Sequence, residues 1–307
     1  MTACFMFRVC EDHVACNRCV EMNSSCKRTF LELHTPTNLL LLSLAVSDFF
    51  VGLLMSFQII LTDGCWFLGD VLCTLYCALD YIITSASVGT MVLISVDRYV
   101  AICDPLHYHT KVTMRRATVC TCLCWACSIL YNGVLMKDSL KQPGRYNSCS
   151  GECVVAISYV MAVADLIFTF VGPVSVIIVL YGRVFVVALS QARAIRSHTA
   201  VITLQGSDTV HTKRSELKAA RTLSIVVIAF LTCLCPFYCS SLVDQNSLFG
   251  HTSVDASAAA FEIWLAHFNS CLNPVIYVFC YPWFRKSLKH ILTLQILKPG
   301  SRDVQIV

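Results

Sequence analysis

Four carboxylates stand where a water-soluble domain would not place them. Asp48 lies in LSLAVSDFFVGLLM, Asp80 in CTLYCALDYII, Asp97 in LISVDRYVAIC and Asp165 in VMAVADLIFTF, each inside a long apolar run. An acid in such a run needs a partner, so each is a functional candidate. The bland alternative is a structural acid bonded to a hydroxyl on a neighbouring helix. The chemistry on offer is electrostatic: an ionised carboxylate in an apolar cavity can hold an organic cation. Nothing accompanies these acids that would make an enzyme, since no nucleophile–base pair or metal set is apparent. Cys16-x-x-Cys19 lacks a second pair at ligand spacing. Cys120, Cys124 and Cys127 share one face of a span and read as small-residue helix packing, not as metal ligands.

The element that must carry Asp80 and Asp97 is the stretch from Cys73 to Pro105. Sixteen uncharged residues separate the two acids. On a helix that spacing is about 25 Å along the axis, most of a bilayer core of about 30 Å. Asp97-Arg98-Tyr99 then meets water at one end, and Asp80 is buried about two turns below Cys73. Asp165 lies eight residues before Pro173, about two turns toward the Cys153 side and at a depth similar to that of Asp80. Two acids on one outward cavity would attract a ligand with one or two amines. If they were close and unpaired, one would stay protonated.

Composition agrees with a membrane setting. Of 307 residues 56% are hydrophobic and 14% charged, against about 25% charged in soluble domains. The mean hydropathy is +0.67. The apolar runs are continuous, not alternating, which predicts transmembrane helices over roughly 38–61, 73–101, 117–136, 155–188, 219–243 and 258–280. The fourth is long enough to extend into the cytoplasm, and a polar loop is expected over 189–215. Net charge is only +4, but its placement is informative. Lys111, Arg115 and Arg116, then Arg183, Arg193, Arg196, Lys213, Arg214, Lys218 and Arg221, then Arg285, Lys286 and Lys289 mark cytoplasmic ends. Beside membrane spans these bases are a topology signal, and no nucleic-acid partner is implied.

Residues 1–30 form an atypical N-terminal segment with seven scattered charges that cannot span a bilayer. Lys27, Arg28 and His34 put the start of the first run in the cytoplasm, which leaves the Asn23-Ser24-Ser25 sequon unusable. Thr35 or Thr37 is expected to cap the first helix, with Pro36 in its first turn. The 137–153 connection holds Pro143-Gly144, Cys149 and Cys153 on the oxidising side, where Cys73 also opens its helix. Cys73 is expected to pair with Cys153, with Cys149 as the alternative. Residues 284–292 put Phe284, Leu288, Ile291 and Leu292 on one face and bases on the other, a helix that lies along the membrane surface. Residues 294–307 form a short cytoplasmic tail.

Further polar groups lie at mid-span. Asp48, Asn269, Ser270 and Asn273 should face one another, as simple interhelical hydrogen bonds or as a site for water or a small cation. Pro173, Pro236 and Pro274 each remove a backbone hydrogen bond and permit a kink. At the inner face, an Arg98–Glu216 ion pair would tie two helices together, and breaking it would let them part.

Jointly the motifs resemble the rhodopsin-like G-protein-coupled receptors over roughly residues 31–293. The matching residues are Asp48, Asp97-Arg98-Tyr99, Trp125, Pro173, Tyr181, Pro236 and Asn273-Pro274-x-x-Tyr277. Asn269-Ser270-x-x-Asn273-Pro274-x-x-Tyr277-x-x-x-Tyr281-x-Trp283-Phe284 and HTPTNLLLLSLAVSDFFVGLL look like the trace amine-associated branch. The resemblance implies an all-α bundle with an amphipathic eighth helix. Six spans are recognisable, and residues 1–30 stand in place of the family's first helix without resembling it. It also implies that Asp80 binds the ligand's ammonium. Asp165 is similar to an acid of diamine-sensing olfactory members, largely from fishes. Phe237 and Tyr238 match aromatic positions beneath the amine, and Trp264 and His267 match ligand-facing positions. Asp97, Arg98, Tyr181, Glu216, Asn273, Pro274 and Tyr277 match the set that rearranges for a G protein. Asp48, Asn269 and Asn273 form the sodium or water site. The implied partners are a small organic amine, a stimulatory G protein that raises cyclic AMP, and the bilayer. The implied place is the plasma membrane of olfactory cilia, with no cofactor. Two departures stand out: Leu234 replaces a Trp beneath the ligand, and His267 replaces a Tyr that bonds the amine-binding Asp. The competing expectations are a receptor for another biogenic amine and a truncated product that does not signal.

Overall fold

The computed structural model describes residues 35–62, 66–145, 153, 155, 157–199, 225, 227–239, 256–280, 289 and 293. The 1–30 segment, Asn23, Cys149, Glu216 and the amphipathic stretch before Lys289 lie outside them. Helix α1 spans Pro36–Thr62. Thr35 is its cap, with Oγ1 accepting from the Asn38 amide at 3.2 Å. Pro36 follows at a position where a missing N–H costs nothing. Thr37, the other capping candidate, is left free for the contacts described below.

Helix α2 spans Asp70–Cys103, 34 residues or about 51 Å of rise, and the bundle is built on it. It starts after Gly69, whose φ of +82° suits a residue without a Cβ. The Trp66 indole fixes that corner by donating to the Gly69 carbonyl at 2.8 Å. The helix stops at Asp104, which precedes Pro105 and is turned out of helical geometry by it. A short inner helix α3, Tyr108–Lys111, leads to α4, Met114–Leu135. Thr113 caps α4 by accepting from the Arg116 amide. Helix α5, Lys137–Lys141, ends in a turn at 142–145. There the Arg145 amide donates to the Gln142 carbonyl at 3.3 Å. Pro143 takes the position before Gly144, whose φ is +76°, as a type II turn requires.

Helix α6, Tyr159–Asp165, runs into a π-helical segment, Leu166–Val171, and then into α7, Gly172–Thr199. Pro173 cannot donate and crowds the turn before it. The extra residue of the π turn accommodates this without ending the helix. Helix α7 continues to Thr199, so the polar loop expected from residue 189 is helical over its first eleven residues. The stretch from Arg183 onward has no Gly or Pro to stop it. Helices α8, Val227–Cys239, and α9, Ala256–Cys280, follow.

Among the described residues, four stretches are long and apolar enough to cross a membrane: Pro36–Phe57, Asp70–Cys103, Met114–Leu135 and Val160–Val187. Their outward faces carry large apolar side chains such as Phe49, Leu130, Val179 and Phe185, each at least 63% exposed. In a bilayer those faces meet lipid. Inward, Leu44, Met91, Ile94, Ile177 and Phe230 pack as one core from α1, α2, α7 and α8. Gly89 lets α2 and α4 come close, because a Cβ there would run into Cys124 Sγ. Of the three cysteines expected on one packing face, Cys124 makes that contact, while Cys120 and Cys127 are exposed. Those two lie one turn to either side, beyond the point where the helices approach.

Candidate functional site

On the outer half of the bundle, α2, α8, α9 and the α6–α7 junction enclose a cavity of about 590 Å³, a size typical of small-molecule sites. Asp80 and Asp165 both line it, as do Phe237, Tyr238 and His267. Among the described residues no Lys or Arg lines it. Asp80 projects from the outer third of α2 with its side chain 26% exposed. Its Oδ1 lies 2.8 Å from His267 Nε2, and the other ring nitrogen, Nδ1, lies 2.8 Å from the Ile263 carbonyl. Asp165 enters where α6 gives way to the π-helical segment, and Thr169 Oγ1 donates to it at 2.8 Å. Asp165 thus bonds a hydroxyl and also lines the cavity.

Tyr238 stacks on Phe170 with centroids 4.5 Å apart and meets Phe237 edge-on at 5.3 Å. Leu234 is buried on the cavity wall, so the position that departs from the family's Trp presents an aliphatic surface. Trp264 is a correction. It is partly buried on α9 but does not line the cavity. The stripe that does is Ile263, Ala266, His267 and Ser270, and residue 264 lies about 100° round the helix from residue 263.

Two walls were not anticipated. Trp66 and Tyr76 line the outer end, with rings 5.8 Å apart and Phe57 against both. The available signal was a Trp four residues before a helix start, which does not reveal which way the ring folds. Cys73 and Cys153 are disulfide-bonded, and Cys153 and Cys77 both border the cavity. The three sulfurs lie close together, but with two of them bonded to each other only one thiol remains, too few for a metal site.

Below the cavity Asn273 Nδ2 donates to both oxygens of Asp48, at 3.0 and 3.2 Å. Ser270 and Asn269 are buried beside them, and the Asn269 and Asn273 carbonyl oxygens have no protein donor among the described residues. At the inner end Asp97 accepts from Thr37 Oγ1, Tyr108 Oη and Arg98 Nε, each at 2.9 Å. The Arg98 guanidinium also donates to Thr37. Glu216, the expected partner of Arg98, lies outside the described residues. Tyr181 packs partly buried against the core. Pro274 and Tyr277 fall within α9. Trp125 Nε1 donates to Ser43 Oγ at 3.0 Å and ties α4 to α1.

Comparison with known proteins places this architecture. Residues 26–277 match the model of the seven-transmembrane receptor (rhodopsin) family. Over 287 residues the chain is 39% identical to trace amine-associated receptor 13c of Danio rerio, covering 90% of this chain and 82% of that one. It is 35% identical to trace amine-associated receptor 6 of Homo sapiens over 288 residues, 90% of this chain and 81% of that one. Trace amine-associated receptor 8b of Rattus norvegicus is 35% identical over 291 residues, with 90% and 82% covered.

Proposed function

Because the chain belongs to the rhodopsin family of seven-transmembrane receptors, in its trace amine-associated branch, we propose that it senses a di- or polyamine through Asp80 and Asp165. It is a multi-pass membrane receptor and not an enzyme. The observation that carries the ligand class is the sharing of one cavity by two carboxylates from different helices, with no Lys or Arg lining it among the described residues. One ammonium would pair with Asp80 and the other with Asp165. The faces of Phe237 and Tyr238 would add cation–π attraction of roughly 0.5–2 kcal/mol each. Trp264 is left out of this set, and Trp66 and Tyr76 are added to its outer wall.

Signal transfer would run inward along α2. Amine binding would favour the state in which Arg98 leaves its inner partners, with Asp97, Tyr181, Glu216, Asn273, Pro274 and Tyr277 rearranging around it. Asp48, Asn269 and Asn273 would hold water or sodium between the two ends. The partner would be a stimulatory G protein raising cyclic AMP, at the plasma membrane of olfactory cilia. The receptor bundle would occupy residues 31–293, with residues 1–30 as an atypical N-terminal segment and 294–307 as the cytoplasmic tail.

The test is cyclic AMP in cells making the full chain, exposed to straight-chain diamines and to monoamines of equal length. Asp165→Ala should weaken diamines markedly. Equal diamine potency on that variant and on the unaltered chain would remove the two-acid reading.

A further inference from the structure

His267 faces hydrogen-bond acceptors with both ring nitrogens: the Asp80 carboxylate at 2.8 Å and the Ile263 carbonyl at 2.8 Å. A neutral imidazole carries one N–H. The Ile263 carbonyl can only accept, so Nδ1 must carry a proton. The contact between Nε2 and Asp80 then requires a second, held by either the nitrogen or the oxygen. Wherever that proton sits, the Asp80–His267 pair has no net charge. His267 is 7% exposed and Asp80 26%, so the pair borders the cavity without being dispersed into water.

The other groups around it leave the count unchanged. From α2 come Tyr76, Cys77 and Tyr81, from α8 Tyr238, and from the α6–α7 junction Asp165. The phenols and the thiol have ordinary pKa values of about 8.5 or higher. Helix α1 brings Asp48, which is held by Asn273 below the cavity. The cavity therefore offers one net negative charge, at Asp165, although it contains two acids.

We propose that the proton shared by His267 and Asp80 stands in for a ligand's ammonium, and that a diamine enters in exchange for it. This rests on the amine reading above and adds its charge rule. A monoammonium matches the cavity as it is. A diammonium would leave one uncompensated positive charge in an apolar site, which is strongly unfavourable, so the His267 proton departs and Asp80 takes the second ammonium. No bond is made or broken beyond this transfer, and the proton goes to solvent. The residue that distinguishes one positive charge from two is then His267 together with Asp165.

The sign follows from linkage. Releasing one proton on binding makes affinity rise tenfold per pH unit while the pair is protonated and level off once it is not. Alkyl ammonium groups, like that of Lys with a pKa of about 10.4, stay charged throughout the window from pH 5 to 8. Diamine potency should therefore climb with pH in that window, while monoamine potency stays nearly flat.

The experiment is titration calorimetry of the full chain in lipid nanodiscs with 1,6-diaminohexane and 1-aminohexane, in phosphate and in Tris at one pH. Dependence of the heat on buffer should report about one proton released for the diamine and close to none for the monoamine. His267→Gln keeps a donor for Asp80 but cannot titrate. It should abolish the release and bind the diamine at least tenfold tighter than the unaltered chain at pH 5.5. His267→Asn serves if the first variant is not recovered, and the measurement on the unaltered chain needs neither. Diamine binding to the unaltered chain without proton release overturns the exchange and leaves the two-acid reading standing. Failure of both amines to bind removes that reading, and this inference with it.

Discussion

Asp80 and Asp97 sit on the same helix, yet their surroundings are opposite. Asp97 is 2% exposed at its side chain and accepts from Thr37, Tyr108 and Arg98. Asp80 is 26% exposed and has one neighbour with a mobile proton, His267. A carboxylate has room for about four donors. At the inner end that capacity is largely filled by the fold, whereas at the outer end most of it is turned toward a cavity. The helix thus carries one acid that completes a packed junction and one left open to a visitor. The difference lies in the neighbours, not in the acids. Tyr108 reaches Asp97 because Pro105 turns the chain back beneath α2, and among the described residues no hydroxyl reaches Asp80 in this way.

The comparison breaks most sharply if the two acids are exchanged for neutral residues. Asp80→Ala should lower diamine affinity by at least about thirtyfold, the low end of the 2–5 kcal/mol lost when one partner of a desolvated, hydrogen-bonded charge pair is removed. Binding to purified receptor in nanodiscs measures it. Asp97→Asn should leave diamine affinity within about threefold in the same assay, since Asp97 does not line the cavity. It should instead raise cyclic AMP in the absence of amine, because Arg98 loses its ionised partner. Equal losses of affinity from both variants would erase the distinction between the two ends.

That distinction was only partly legible in the sequence. Uninterrupted apolar runs and the uncharged interval between Asp80 and Asp97 are local signals. Helices α1, α2, α4 and α9 follow them to within a few residues, whereas α7 runs eleven residues past the expected end. Side-chain direction across the bundle is not local. His267 lies 187 residues from Asp80, and only family likeness suggested that they meet. Trp264 was placed by the same likeness and faces elsewhere, because adjacent helical positions differ by about 100°. The choice of Thr35 over Thr37 as cap could not be read off, since both types cap equally well. What settles it is that Thr37 is engaged by Asp97 and Arg98. Pro173 announced a local break, but whether the helix ends, kinks or takes in a π turn depends on the packing around it.

A finer probe lies between the two acids. Gly89 is nine residues after Asp80 and eight before Asp97, where a Cβ would run into Cys124 Sγ. Gly89→Ala should destabilise the bundle by about 1–3 kcal/mol, the usual cost of overpacking, read as a lowered thermal midpoint. Cys124→Ala should be milder, and the double variant should recover most of the loss because the two sites share one contact. If the double variant is merely the sum of the singles, α2 is not held at this crossing, and its two ends need not act as one rigid piece.

The smallest effect is expected just past the inner end, where Asp104 accepts from Lys111 at 2.8 Å and His107 at 2.7 Å. Those hydrogen bonds, Lys111 first, hold the Asp104 carboxyl down to about 2. A depressed acid stabilises the fold above its ordinary pKa and loses that contribution as pH falls toward the folded value. Asp104 is nevertheless open to water at 33% of its side chain, with Lys111 at 58%, and ion pairs in water contribute little. Lys111→Ala should therefore return the Asp104 titration toward 3.8, followed by carboxyl carbon shifts in aspartate-labelled protein, with no resolvable change in thermal midpoint. Asp97 and Asp104 are seven residues apart with similar numbers of donors, so burial is what separates them. A large loss of stability from Lys111→Ala would mean that donor count, not desolvation, governs the inner junction, and the contrast with Asp80 would have to be redrawn on that basis.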